Sequence, residues 1–257
     1  MSGILFDKIV FGPIHSRRFG QSLGVNLLPT NKKHCSFNCI YCECGWTKEN
    51  DVFNLNFVAS DLIAEALELK LVELNNHEEN LDVITFAGNG EPTLHPEFDI
   101  IIDNTIRLRD KYLKNVKIVV LTNSTQLCNK KVLDSLKKIE LPVLKIDSGN
   151  EETFNKINLP TSGVKFNEII SNITQIDAPI IQTIFLRGEV NGVYVDNTTD
   201  QEIYSYIEVL KKVAPSLVMI YPIDRTPPAK NLEKLTKEDM KKIANRIESA
   251  GYKVFSV

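Results

Sequence analysis

Short runs of apolar residues recur along this chain and alternate with longer stretches of helical period. The runs lie at residues 22–28, 83–87, 117–122, 143–147, 180–186 and 217–221, with a last short one at 253–256. Strands this apolar have two faces to cover, which points to a parallel sheet wrapped by helices. The intervening helices are predicted at residues 60–74, 97–112, 130–138, 167–175 and 201–213, with a final one starting at Thr236. Ser60 is the expected N-cap of the first, with Leu62, Ala66, Leu69 and Glu73 on one helical spacing. Thr236 followed by Asp239 reads as an approximate capping box, and Gly251 as the stop. Six strand–helix units are too few for a closed eight-stranded barrel. They leave a partial barrel and a doubly wound open sheet as alternatives. The length of 257 residues is consistent with one α/β domain, with residues 1–21 as an N-terminal extension and 22–257 as its body.

The loop after the first strand contains Cys35-Ser-Phe-Asn-Cys39-Ile-Tyr41-Cys42. Three closely spaced thiolates can hold three irons of a [4Fe–4S] cube and leave the fourth iron open for chemistry. Structural zinc usually takes two separated ligand pairs. Here Cys44 is too close to Cys42 to form a second pair, Cys128 stands alone, and His34 adjoins Cys35. Five cysteines are an odd, sparse number for a disulfide framework. After the second strand comes Gly88-Asn89-Gly90-Glu91-Pro-Thr, in which the glycines permit a sharp turn and a close backbone approach. Glu91 offers an acceptor to a cationic amine; an ordinary turn before a helix would read the same way.

Together these segments resemble the radical S-adenosylmethionine (SAM) superfamily, whose cluster motif is C-x3-C-x-aromatic-C. The resemblance implies a partial (β/α)6 TIM-type barrel with the cluster loop after the first strand. It implies Cys35, Cys39 and Cys42 as metal ligands. Tyr41 and the Gly88, Asn89, Gly90, Glu91 segment are implied at the SAM site. The family also places a ribose-binding polar residue at the end of the third strand, where Asn123 and Ser124 stand; a plain Asx or Ser/Thr turn is the alternative.

Alternation along the fourth strand sends Lys145 and Asp147 to one face and Leu144 and Ile146 to the other. Asp147 is then either a cofactor or catalytic residue or half of a lumen-filling ion pair with Lys145. Gln182 interrupts an apolar strand in the same manner and is a further cofactor-binding candidate. Arg225, just beyond the last long strand, is a candidate catalytic clamp for an anion or a surface-loop residue. Arg17 and Arg18 either bind an anion or anchor the N-terminal segment across the barrel.

Over nearly its whole length the chain looks like the radical SAM branch of short proteins related to the tRNA wyosine-base synthase. It lacks the spare cysteines for that enzyme's additional cluster. The resemblance implies one [4Fe–4S] cluster, reductive cleavage of SAM to methionine and a 5′-deoxyadenosyl radical, and an oxidoreductase that takes hydrogen from its substrate. A wyosine-type tRNA-modifying enzyme and a non-catalytic iron–sulfur carrier or sensor are the rivals. The carrier has no use for the glycine-rich segment. A net charge of −3 favours a small molecule or peptide over RNA as substrate. A low-potential donor such as flavodoxin or ferredoxin is the expected electron partner. No signal peptide or membrane-spanning run is evident, which makes the cytoplasm the expected compartment.

Overall fold

The computed structural model describes residues 3–47 and 56–257. Its main sheet has eight strands in the order β1-β2-β3-β4-β5-β6-β9-β11. These are β1 (Val10–Ser16), β2 (Gly20–Val25), β3 (Val83–Phe86), β4 (Lys117–Thr122), β5 (Leu141–Lys145), β6 (Ile180–Ile184), β9 (Leu217–Tyr221) and β11 (Val254–Ser256). All neighbours pair in parallel except β1, which runs antiparallel to β2 at one edge. The sheet curls into the partial barrel that the resemblance implied. A separate three-stranded sheet joins β7 (Arg187–Val190), β8 (Val193–Asp196) and β10 (Asn231–Glu233) in the order β10-β7-β8.

The helices are α1 (Ser60–Asn76), α2 (Phe98–Tyr112), α3 (Lys130–Leu136), α4 (Glu151–Asn158), α5 (Phe166–Ile173), α6 (Asp200–Val213) and α7 (Lys237–Ser249). They bury one stripe each against the outer face of the sheet, where Ile84, Phe86, Ile118, Val120, Leu144, Ile181 and Ile220 form the main core with them. The inner face is layered. Val83, Val119, Val143, Ile180 and Met219 form an apolar plug. On the same face, toward the strands' C-terminal ends, Leu121, Lys145, Gln182 and Tyr221 open onto a cavity. The active face of a parallel barrel is built this way: a packed core below, polar side chains at the strand ends above.

Two expectations are corrected. Ser60 is not the cap of α1; Ala59 is, and Ser60 lies buried in the first turn with its backbone N–H donated to Glu97 Oε2 at 3.0 Å. A carboxylate from another element does the capping. The buried stripe of α1 is Ile63, Leu67, Leu71 and Leu74, whereas Leu62 and Leu69 are exposed. The capping box of α7 is present, with Thr236 and Asp239 bonding each other's backbone N–H.

Candidate functional site

The cysteine loop is stitched to the barrel on two sides. On one, His34 N–H donates to Asn89 O at 2.8 Å and Glu91 N–H donates to His34 O at 3.0 Å. This is a short parallel bridge between the segment entering the cysteine loop and the glycine-rich loop after β3. Gly90 adopts φ +137°, and a Cβ there would overlap the His34 carbonyl, so only glycine fits. On the other side, Asn38 and Ile40 donate backbone N–H groups to carbonyls at the end of α4, and Thr161 N–H donates to Ser36 O.

These contacts bring Cys35, Cys39 and Cys42 to the wall of one cavity of about 330 Å³. Tyr41, Gly88, Gly90, Glu91, Asn123, Gln182 and Arg225 also line it. Asn89, Ser124 and Asp147 are not among its lining residues. Asn89 is fully buried, with its amide spent on Phe6 and Pro29. It therefore braces the N-terminal segment and has no group left for a cofactor. Ser124 is buried at φ +70°, and its Oγ has no partner among the described residues.

Glu91 is only 2% exposed and accepts four hydrogen bonds. Its Oε1 takes Thr93 N–H, Thr93 Oγ1–H and Thr122 Oγ1–H; its Oε2 takes Asn123 N–H at 2.6 Å. Burial pushes this carboxyl up from its usual range, and the donors from Asn123, Thr93 and Thr122 work against that. The primary work of Glu91 is thus to fasten the glycine loop to the end of β4, leaving at most one lone pair of Oε2 for an incoming amine. Asn123 is similarly engaged. Its Nδ2 donates to Ser36 Oγ at 2.9 Å and approaches Cys35 Sγ at 3.5 Å, while its Oδ1 accepts from Thr125.

Asp147 resolves toward the ion pair. Its Oδ2 receives Tyr41 Oη–H at 2.6 Å, Asn158 Nδ2–H at 2.7 Å and Lys145 Nζ at 2.6 Å; its Oδ1 accepts Ile184 N–H. It is 1% exposed and lies outside the residues that line the cavity, and three donors meet on its Oδ2, so its contacts favour the ion-pair reading of the two. Burial pulls the Lys145 ammonium toward neutrality, but Asp147 outweighs it and the group stays protonated. Lys145 also lies 4.7 Å from the Phe37 ring centroid. Gln182, on the next strand, lines the cavity; its backbone carbonyl accepts from Ile146 N–H, while its side-chain amide has no hydrogen bond to any described residue. Arg225 is spoken for at the rim, with Nη1 2.7 Å from Glu43 Oε2.

The thiols carry different protonation tendencies. Burial pushes Cys35 up to about 12. Cys39 also rises on burial, with Lys145 opposing it. Cys42 is lowered to about 6, chiefly by a hydrogen bond from Cys44, with help from Lys33. The Cys44 thiol lies within 3.3 Å of Gly88 O as well. Lys33, only 2% exposed, is bonded to Asn38 Oδ1 and Gly45 O, both neutral. Sequence reasoning passed over Lys33, Asn158 and Tyr221; an apparently ordinary lysine two residues before the first cysteine was the one signal available.

The donor set fits an iron–sulfur cluster. Three thiols share one wall, Phe37 N–H and Asn123 Nδ2 approach Cys35 Sγ, and Asn158 Nδ2 approaches Cys39 Sγ at 3.7 Å. Two lysine ammonium groups add positive charge where thiolates would gather. Among the described residues, no three His, Cys, Asp or Glu side chains converge tightly enough to hold a single metal ion. A cluster does not require that convergence, because each thiolate binds a different iron.

The model of the Radical SAM superfamily matches residues 33–189, and the chain belongs to that superfamily. It is an enzyme of the radical SAM type, a class that works with an iron–sulfur cluster and SAM. A UPF0026 protein of Helicobacter pylori (strain J99) is 32% identical over 91% of this chain and 72% of its own length. A Brachyspira hyodysenteriae protein named GTPase Obg is 30% identical over 95% of this chain, which spans only 34% of that longer protein. Among solved structures, TYW1 with a lysine–pyruvate adduct bound superposes with a TM-score of 0.63 at 14% identity, over 90% of this chain and 75% of that one. At that identity the likeness concerns the fold. No helix among the described residues is long and apolar enough to cross a membrane.

Proposed function

We propose that this chain holds one [4Fe–4S] cluster on Cys35, Cys39 and Cys42, cleaves SAM reductively, and removes a hydrogen atom from a small-molecule or peptide substrate. When bound, the cluster and SAM supply the electron and the 5′-deoxyadenosyl radical that this chemistry needs. The observation that carries the reading is the His34–Gly90 bridge, which fixes the cysteine loop and the glycine-rich loop as neighbours on one cavity. Glu91 then holds the second loop in shape, while Gln182 and the backbones of Gly88 and Gly90 present polar groups to a bound cofactor. Tyr41, anchored on Asp147, walls the cavity beside Cys42. The apolar plug beneath excludes water from below, which suits a reactive species that must not be quenched.

The wyosine-type alternative would need ligands for a further cluster. Cys44 lies in the same cavity and Cys128 is exposed outside it, so the two do not form a second set. The reading calls for a low-potential donor of the flavodoxin or ferredoxin kind and for a reducing compartment, the cytoplasm, where thiols stay available. The test is anaerobic reconstitution. Wild type should take up about four irons, and Cys35→Ala, Cys39→Ala and Cys42→Ala should each lose them, while Cys44→Ala and Cys128→Ala keep them. The reduced wild type should form 5′-deoxyadenosine from SAM. Retention of the cluster in any of the first three variants, or no SAM cleavage, would sink the proposal.

A further inference from the structure

The cavity wall has several charged side chains, and all but one are already satisfied. Arg17 Nη2 pairs with Asp224 Oδ2 at 2.9 Å. Arg225 pairs with Glu43, Lys145 with Asp147, and Glu91 accepts four neutral donors. Arg18 has no carboxylate and no hydrogen-bond acceptor for its guanidinium among the described residues. Its contacts are ring faces: Tyr221 at 5.3 Å and Phe19 at 5.9 Å from the centroids. Nη1 is shielded from solvent and unpartnered. An unmatched, partly desolvated guanidinium is unfavourable unless something completes it.

Its placement says where the partner would come from. The turn between β1 and β2 reaches from one edge of the curled sheet to the end of β9, where Arg17 meets Asp224 and Arg18 covers Tyr221. Arg18 therefore stands on the cavity that also holds the three cysteines, on the side where the sheet does not close. Resting on the apolar Tyr221 and Phe19 rings holds the planar fork in place without using up its donors, so less order is lost when a carboxylate or phosphate docks bidentately.

We infer that Arg18 is the receptor for a carboxylate or phosphate group of the substrate, and that the substrate is a small acidic molecule. This rests on the enzymatic reading above and moves the anion-binding role from Arg225, which Glu43 occupies, to Arg18. Smallness follows from the rim. Glu43 and Asp224 already occupy Arg225 and Arg17, which leaves a single free arginine, enough for one anionic group but not for a polyphosphate backbone.

The test uses reconstituted, SAM-loaded protein and ligand-observed NMR, with succinate as the carboxylate probe and inorganic phosphate as the phosphate probe. Wild type should bind one of the two, and which one names the group. Binding should weaken at least tenfold in Arg18→Ala and by less in Arg18→Lys. Iron content, SAM affinity and uncoupled formation of 5′-deoxyadenosine should stay within twofold of wild type in Arg18→Lys. Binding of neither probe by wild type, or unchanged binding in Arg18→Ala, overturns the inference. So does loss of cluster or SAM in Arg18→Lys, which would make the residue part of the cofactor site. Loss of anion binding in Arg225→Ala but not in Arg18→Ala restores the role to Arg225. Arg18-dependent binding of a short single-stranded RNA, with both small anions inert, overturns the assignment to a small molecule. Failure of wild type to cleave SAM would count against the enzymatic reading instead, whatever the anions do.

Discussion

Lys145 Nζ lies 2.6 Å from Asp147 Oδ2, and the two partners depend on each other unequally. The carboxylate has Tyr41, Asn158 and the Ile184 N–H as further donors; the ammonium has no other acceptor among the described residues. Asp147→Asn leaves an uncompensated cation beside the cavity and, with its amide oxygen kept on Tyr41 and Asn158, sets its N–H against the Ile184 N–H. It should cost about 3–5 kcal/mol, the scale of breaking a buried pair from one side. Lys145→Met leaves a carboxylate that is still hydrogen-bonded and should cost about 1–2 kcal/mol less than that. Urea unfolding of the two variants measures the difference, and equal losses would refute the asymmetry.

The thiols should separate by reactivity in protein free of iron. The Cys42–Cys44 pair gives up its first proton near 6, because the Cys44 hydrogen bond and Lys33 favour a thiolate on Cys42, whereas burial holds Cys35 protonated up to about 12. A lowered pKa means more thiolate at neutral pH, so alkylation of Cys42 should rise through pH 6 and level off by pH 8. Cys35 should still be climbing there. Peptide mapping after timed alkylation reads both rates. A Cys42 profile that tracks Cys35 would show that the assigned order is wrong.

Substitutions in the glycine-rich loop should divide by mechanism. Gly90→Ala forces a Cβ into the His34 carbonyl at a backbone angle that side chains rarely adopt, and should destabilise the fold and impair cluster uptake together. Glu91→Ala removes four hydrogen bonds but creates no overlap. Its expected result is a folded protein whose SAM affinity falls by roughly 1–3 kcal/mol as the loop loosens. Calorimetric SAM binding and iron analysis decide it; full SAM affinity in Glu91→Ala would leave the loop without a cofactor role.

Arg225 and Glu43 form a pair that is about half exposed, with side chains 56% and 42% accessible. Solvent and salt screen such pairs, and Arg225→Ala should change stability by about 0–1 kcal/mol. Thermal melting at low and high ionic strength checks this. A loss well above that range, insensitive to salt, would mean that the arginine anchors the loop beyond β9.

The parallel strands β2, β3, β4, β5, β6 and β9 were legible in the sequence because such strands are apolar on both faces, and the three clustered cysteines and the two glycines marked two of the loops above them. What was not legible had weak or long-range signals. Strand β1, Val-Phe-Gly-Pro-Ile-His-Ser, has no clean alternation and is held by its pairing with β2. The β7–β8 hairpin did carry a signal, Asn191-Gly192, with both residues at positive φ as a tight hairpin turn demands. In α1 two stripes competed, and the one containing Glu73 proved to be the solvent side. The polar residues that complete the site were hidden for another reason. Asn158 reaches Asp147 and Cys39, and Asn197 is bonded to Asp147 O, Ile184 O and Leu186 N–H. Single asparagines at the end of a helix or between elements say nothing of such partners until the chain is folded.

The bridge between His34 and Gly90 makes the cysteine loop and the glycine-rich loop one cooperative unit rather than two adjacent ones. Local opening that frees the glycine-rich loop must also release the entrance of the cysteine loop. In hydrogen exchange, the amides of His34 and Glu91 should therefore slow by the same factor when iron is bound, although only one of the two adjoins a cysteine proposed as a ligand. Under the proposed function, chemical damage to the cluster would then register as lost order in the glycine-rich loop proposed to receive SAM, and a tightly bound SAM would shield the cysteines from oxidants it never touches.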